Sequence, residues 1–598
     1  MFFKKEINKN ARWSVVDNMF ASLAFAGMII EFSQVGSGFI DGLIISRFLG
    51  SEMMAAEGIA YPIFSIVGVI SGLIATGMQV TCSQLVGRGK IKDVNRFFSQ
   101  SFWFGGVLSV IGALLTILFA RQFAVLLGAS GNAQSLALPA SQYLTGIAVG
   151  IPALVIVAIL SPALQIDSGR KIIQTGAIVG SVADVVLDLI AVRLGWGLLG
   201  IGLATAVSFY LNLLYLCLYF LKKERMIRFV KPDVPLKDFC KMLLNGTEKA
   251  TKRLANVIRP VFLNNIIIAY GGAAAMSALS IRNSIGNFTD IPASGIAAVV
   301  SLLTGLYFGE MNEEAIGEVK EREWKYVVSF SSVICAVLLI FAKPIASIYA
   351  DNDAVMGYVV FAIRMLGLQI GLQALLKSRI SYLQATSRIV NMNLLLFASQ
   401  LVLIIVSAFT LGQLFGVYGI LSSFVVSDAL SLISVYVYYQ IKSRKFLLDK
   451  KGLLNLPDEY YLKPGDVISL DIRDIDDAVL TSEQIQLFCK GHGFDSKTCY
   501  YASLAFEEIA SNIIKYGFPH NKNKDPIIDL RVVASTHTLV MRIRDNCPHF
   551  DITKSIAEVN ESNDPTFGLG IRVTSKIAKN IEYTHAFETN NIIITYNR

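Results

Sequence analysis

SVADVVLDLIAVRLGWGLLGIGLATAVS, residues 181–208, is apolar enough for lipid and yet carries two carboxylates. Asp184 and Asp188 are four residues apart, so on a helix they share one face. The stretch runs directly into FYLNLLYLCLYFL (209–221). Comparable cores recur at VLSVIGALLTILFA (107–120), VVSFSSVICAVLLIFA (327–342) and LLLFASQLVLIIVSAF (394–409). A transmembrane helix needs about 20 apolar residues, and such runs place twelve spans between about residues 14 and 441. Composition agrees: of 598 residues 54% are hydrophobic and 16% charged, with a mean hydropathy of +0.55. A soluble chain carries roughly a quarter charged residues. The expected fold class is an α-helical membrane protein, with the lipid bilayer as its first partner.

The net charge of +8 does not indicate nucleic-acid binding, because the basic residues lie largely in short loops between apolar runs. GRGKIKDVNR (87–96), DSGRK (167–171), KKERMIRFVK (222–231) and KSRK (442–445) are the main ones. Basic loops stay cytoplasmic. With KKEINKNAR (4–12) also inside, an even span count returns the C-terminus to the cytoplasm. The expected location is therefore the cytoplasmic (plasma) membrane, multi-pass, with both termini inside. The polar first dozen residues and a long first apolar segment argue against a cleavable signal peptide. Seven cysteines without CxxC spacing suggest neither a disulfide framework nor zinc. All five histidines follow residue 490, so the membrane part has no histidine proton relay.

The membrane part reads as two related halves. LLGASGNAQSLALPASQYLTGIAVGIP (126–152) has a counterpart in IYADNDAVMGYVVFAIRMLGLQIG (348–371), and GWGLLGIGLATAVSF (195–209) in LFGVYGILSSFVVSD (414–428). The offset is roughly 220 residues, the period of two six-span halves related by an axis along the membrane normal. The expected organisation is a first six-helix bundle (1–222), a cytoplasmic connection (223–242), a second bundle (243–445), a linker (446–460) and a soluble domain (461–598). In that last part VISLDI (467–472), IIDLRVVAS (527–535), TLVMRIRD (538–545) and NIIITYN (591–597) read as strands. Helical patterns lie at 481–491, 497–516 and 570–580. Two or three helices over an antiparallel sheet make an α+β sandwich.

Charged side chains at bilayer depth cost roughly 2.5–3.5 kcal/mol each and usually mark a pathway. Asp41 in GFIDGLIIS, Asp184 and Asp188 are the leading candidates. Paired carboxylates in a low-dielectric site suit a proton that must come and go, and a sodium site is equally acceptable. Alternatively Asp188 lies near the outer interface and pairs with Arg193. Glu31 and Gln34 of the first span could line the same cavity, and Arg282 and Asp290 of the eighth span are polar enough to face one or to form a structural salt bridge.

FIDGLIISRFLGSEMMAAEGIAYPIFSIVGVISGLIATGMQVTCSQLVGRGK (39–90) resembles the first two spans and following loop of multidrug and toxic compound extrusion (MATE) transporters. Residues 181–208 resemble their fifth and sixth spans. The resemblance implies two six-helix bundles around a central cavity, and efflux of drug-like or organic-cation substrates driven by an inward H⁺ or Na⁺ gradient. It also implies coupling through Asp41, Asp184 and Asp188, with Asp184 standing where the family usually has Asn.

The soluble part carries an ordered set of polar residues. In FEEIASNIIKYGF (506–518) Glu508 and Asn512 lie one helical turn apart. Asn512 can offer an oxygen to Mg²⁺, and Glu508 could accept a proton from an attacking hydroxyl. Asp545 ends a strand in IRDNCPHFD (543–551) and can accept from an adenine amino group. TFGLGIRVTSKIAKNI (566–581) places Gly568 and Gly570 before a helix, where backbone N–H groups favour phosphate. The set resembles the N, G1 and G2 boxes of histidine-kinase-like (GHKL, Bergerat-fold) ATPases, and most resembles anti-sigma-factor serine kinases. That implies Mg-ATP, with Glu508 as base, Asn512 as Mg²⁺ ligand, Lys515 near the phosphates, Asp545 reading adenine, and Gly568 and Gly570 as lid hinge. It further implies a STAS-type antagonist or a sigma factor as partner. Cys547 occupies the place where the G1 box usually has glycine. Three functions stay open: an antiporter with a regulatory kinase module, a transporter-derived sensor, and a transporter with a non-catalytic nucleotide-binding module.

Overall fold

The computed structural model describes residues 15–127, 129, 131–349, 353–443, 450–463, 465–521, 525–549, 551 and 578–598. The chain forms two compact units. One holds Ser22–Gly87 and Lys92–Asn455; the other holds Leu456–Arg598 with Arg88–Ile91 and the chain up to Ala21.

Among the described residues of the membrane part, ten helices are long and apolar enough to cross a bilayer. A bent pair, Gln134–Ala148 and Ile151–Ile166, meets at 47° and makes an eleventh. Two of the long helices break at a glycine. Thr247–Thr289 does so at Gly272 (φ 57°), and Leu403–Ser443 at Gly416 (φ 59°). A side chain at such φ is costly, and glycine removes that cost. Cut at these glycines, with Ile291–Gly309 continuing the piece that begins at Gly272, the part comprises the expected twelve spans. Gly197 (φ 57°) opens the sixth span and Gly416 the twelfth, one repeat apart. The related halves thus turn at equivalent glycines.

The connection after the sixth span is held to the third span, Ile91–Leu118. Asn95 and Ser99, one helical turn apart, together with the adjoining Gln100 satisfy the backbone of an extended segment. Asn95 Oδ1 accepts from Arg228 N at 2.9 Å, Ser99 Oγ from Val230 N at 2.9 Å, and Gln100 Oε1 from Val234 N at 2.8 Å. The segment then enters the helix Leu236–Asn245.

The C-terminal sheet has order β1-β2-β3-β5-β4, antiparallel throughout. Its strands are β1 Val467–Ile472, β2 Ile528–Ala534, β3 Thr538–Asp545, β4 Asn580–Ala586 and β5 Thr589–Asn597. The helices Ile475–Gly491 and Ser496–Asn512 cover one face. Phe506 and Ile509 share a core with Leu530, Val532, Met541, Ile543 and Ile594. Asp474 caps the first helix by accepting from Asp477 N at 2.7 Å. Asp495 caps the second through Lys497 N and Thr498 N, both at 2.9 Å; the Thr498 hydroxyl, donated to its other oxygen at 2.6 Å, together with these backbone bonds holds its carboxyl below the usual carboxylate range. Two expectations need correction. The first helix starts at Ile475 rather than 481, because the acidic run after the Asp474 cap is its first turn. Asn580 begins a strand, β4, where a helix was expected to end; the rest of that expected helix, with Gly568 and Gly570, lies outside the described residues.

Candidate functional site

In the first bundle, span 1 (Val15–Leu49) and span 5 (Arg170–Arg193) bring Asp41, Asp184 and Asp188 together. Asp188 is fully buried and Asp184 is 4% exposed. Ser37 Oγ donates to Asp184 Oδ2 at 2.6 Å, and Ser181 Oγ to Ser33 O at 3.1 Å, tying the two helices side by side. Thr205 and Ser208 stand beside Asp184, each with its hydroxyl turned to a carbonyl of its own helix. The Asp41 and Asp188 carboxylates approach within hydrogen-bond range of each other. Among the described residues no protein N–H or O–H is donated to either oxygen of Asp188, or to Oδ1 of Asp41 or Asp184. Two carboxylates so placed require a proton or a cation between them. Arg193 is exposed and makes no ion pair with Asp188, so the alternative of an interfacial salt bridge is not what forms.

Two further groups were not singled out from sequence. Glu57 of the second span lies beside Asp41 and Asp188, and Tyr143 faces all four carboxylates. Gln34 is exposed. Glu31 lies elsewhere, on the wall of a cavity of about 770 Å³ whose other lining comes largely from the second bundle. Asp41, Asp184 and Asp188 are not among that cavity's lining residues. Arg282 and Asp290 are, but they do not pair with each other. Asp290 forms an ion pair with Lys377. Arg282 donates to Gln369 Oε1, and Gln369 Nε2 donates to Asp428 Oδ2 at 2.7 Å. Lys252, Lys377 and Asp428 escaped notice because isolated charges in apolar or Lys/Arg-rich segments read as span ends.

In the C-terminal unit, Glu508 and Asn512 are half-buried one turn apart, at the end of the helix Ser496–Asn512. The helix then widens into a π-turn, Ile513–Gly517, which exposes Lys515; such turns are frequent at functional sites. The half-buried Asn512 amide has no protein partner among the described residues and is open to solvent or a ligand. Gly517, closing the turn, lies against Cys547: a β-carbon built there would be 3.1 Å from both Cβ and Sγ of the cysteine. The exit of the helix is thereby brought against the end of β3, where Asp545 is 2% exposed. Asp545 Oδ1 accepts from Cys547 N and Asn590 Nδ2, both at 2.9 Å. Burial pushes its carboxyl up to about 6, opposed by these bonds. The same burial, with the Asp545 charge beside it, raises the Cys547 thiol far above its usual range, so the sulfur is protonated. Asn590 also accepts from Tyr583 Oη at 2.7 Å. Nothing local marked Asn590; it stands opposite Asp545 only through the β3–β5 register.

The sequence profile of the MatE family matches residues 27–190 and 254–410, more than half of the chain. That of the histidine kinase-like ATPase domain matches residues 475–596. Multidrug export protein MepA of Staphylococcus saprophyticus is 25% identical over 455 residues, covering 72% of this chain and 97% of the relative. MepA of Staphylococcus aureus is 23% identical over 433 residues, covering 68% and 90%. Among solved structures, an outward-facing multidrug resistance MATE family transporter of the MOP superfamily aligns with a TM-score of 0.66 at 20% identity, covering 71% of this chain and 95% of that one. A MATE crystal structure in the bent conformation aligns at 0.65 and 20% identity, covering 72% and 96%. The chain therefore belongs to the MatE family of multi-pass membrane transporters and carries a histidine kinase-like ATPase domain at its C-terminal end.

Proposed function

We propose that the membrane part exports small organic molecules in exchange for inward-moving H⁺ or Na⁺, and that the C-terminal domain is a cytoplasmic nucleotide-binding regulator. The observation that carries the first half is the contact of the Asp41 and Asp188 carboxylates, beside Asp184, with no protein donor between them. Such a group binds one cation when occupied and repels itself when empty, which is the property an exchanger needs. The similarity to proteins named multidrug export proteins favours drug-like cargo. Basic loops favour the cytoplasmic membrane with both termini inside.

For the second half, Mg-ATP supplies a transferable phosphoryl group. Asn512 would ligate Mg²⁺, Lys515 would lie near the phosphates, and Asp545 would accept from the adenine amino group. Glu508 would take the proton of a serine hydroxyl on a STAS-type protein or a related sigma-factor regulator.

The test is dye efflux in everted vesicles under imposed H⁺ or Na⁺ gradients. Wild type should export under one of them, and Asp41→Asn or Asp188→Asn should lower the gradient-driven rate at least tenfold. Full export by both variants would remove these carboxylates as the coupling site, whereas no gradient-driven export by wild type would favour a membrane part that only reports on a ligand.

A further inference from the structure

We infer that the second-bundle cavity is a binding site for the negatively charged group, carboxylate, sulfonate or phosphate, of an organic substrate. This rests on the export reading above and narrows its substrate class. Five cations line the cavity: Lys249, Lys252, Arg259, Arg282 and Lys377. Four carboxylates face them: Glu31, Glu248, Asp290 and Asp428. The lining is therefore one positive charge in excess, and a single anion balances it.

Location sharpens the point. Lys377 is paired directly, with Asp290. Arg282, 7% exposed, reaches Asp428 only through the neutral amide of Gln369. Arg259 donates to the amide oxygens of Gln400 at 3.0 Å and Asn256 at 3.2 Å. Among the described residues Lys249 and Lys252 make no hydrogen bond or ion pair with protein. Lys252 nevertheless lies near Lys377 and Lys249, with Glu248 and Asp290 as the carboxylates in range. Ammonium groups gathered on one half-buried wall repel each other. An anion seated among Lys249, Lys252 and Lys377 relieves that repulsion.

An organic cation would meet the opposite situation. Aromatic faces are the usual seat for such a ligand. Of the two aromatic residues lining this cavity, Phe424 is already covered by the Arg282 guanidinium at 3.5 Å from its centroid, which leaves Tyr61 alone against five cations. The two halves of the repeat thus differ in sign: carboxylates gather in the first bundle and ammonium and guanidinium groups in the second. An exchanger built this way takes its coupling cation in one bundle and the anionic end of its cargo in the other.

The probes are fluorescein, an anionic dye, and rhodamine 6G, a cationic dye, titrated against purified full-length protein in nanodiscs by fluorescence anisotropy. Wild type should bind fluorescein, with affinity falling as salt rises. Lys252→Gln should weaken it at least tenfold, Lys252→Arg should stay within about threefold of wild type, and Arg259→Gln provides a second neutralisation should Lys252→Gln not fold. Absence of fluorescein binding, or unchanged affinity in the folded neutral variants, overturns the inference. So does rhodamine 6G binding that tightens when Lys252 is neutralised, with fluorescein unaffected. Fluorescein that binds as expected but is not moved by any gradient in proteoliposomes leaves the site standing and removes the exchange reading instead.

Discussion

Gly517→Ala should loosen the nucleotide site, and Cys547→Gly should repair it. The backbone at Gly517 is helical (φ −83°, ψ −51°), so alanine is locally acceptable there, and on propensity alone gains about 1 kcal/mol. The added Cβ, however, would sit 3.1 Å from both Cβ and Sγ of Cys547, against an ordinary 3.4–4 Å. Cys547 has little room to yield: its N–H is held by Asp545 at 2.9 Å, and its carbonyl accepts from Asn590 at 3.3 Å. Overpacking of this kind costs about 1–3 kcal/mol, so the net loss is about 0–2 kcal/mol after the helical gain. Cys547→Gly removes both crowding atoms, and the pair should couple by about 1–3 kcal/mol. Hydrogen exchange on the full-length chain reads local opening directly. At the upper end, amides of residues 505–518 and 540–547 should exchange about 30-fold faster in Gly517→Ala. In the double variant their rates should return toward those of Cys547→Gly alone. Exchange in Gly517→Ala as slow as in wild type, together with strictly additive effects in the pair, would refute this account of how the cysteine is accommodated.

Asp545 gives a pH signature. Its folded carboxyl titrates at about 6 rather than 3.8 because it is buried. Between those values the folded domain holds a proton that the unfolded chain releases. The contribution of Asp545 to stability is therefore fullest below pH 4 and falls as pH rises toward 6, by about 3 kcal/mol in all. The charged acceptor behaves oppositely toward ligand: adenosine affinity, free of phosphate titration, should fall as pH drops through 6, and Asp545→Asn should flatten that profile. A profile in wild type that is flat from pH 5 to 8 contradicts the assignment. Asn512→Ala should make nucleotide binding by the full chain insensitive to Mg²⁺ against EDTA; a retained Mg²⁺ dependence removes Asn512 as the ligand. Glu508→Gln should leave ATP affinity within about twofold while abolishing transfer to a serine, since a base acts on the proton and not on binding; transfer at the wild-type rate excludes it as the base.

Much of this molecule could be read from local pattern. Apolar run length gave the spans, because a backbone in lipid must satisfy its own hydrogen bonds and therefore forms helices of bilayer length. The glycines at the equivalent turns belong to the repeat that the sequence displays twice. Asp41, Asp184 and Asp188 stood out because carboxylates are rare in such runs, and Glu508 and Asn512 because one helical turn puts them on one face. What tertiary structure alone decided is which distant groups meet. Asp41 touches Asp188, Lys377 takes Asp290 where Arg282 was the nearer candidate in sequence, and Glu31 joins a basic cavity rather than the acidic cluster. Asn590 reaches Asp545 through strand register, and Gly517 makes room for Cys547 across two elements. Periodicity reports the face a residue occupies on its own element; the sign and fit of what lies opposite are set by packing between elements far apart in the chain.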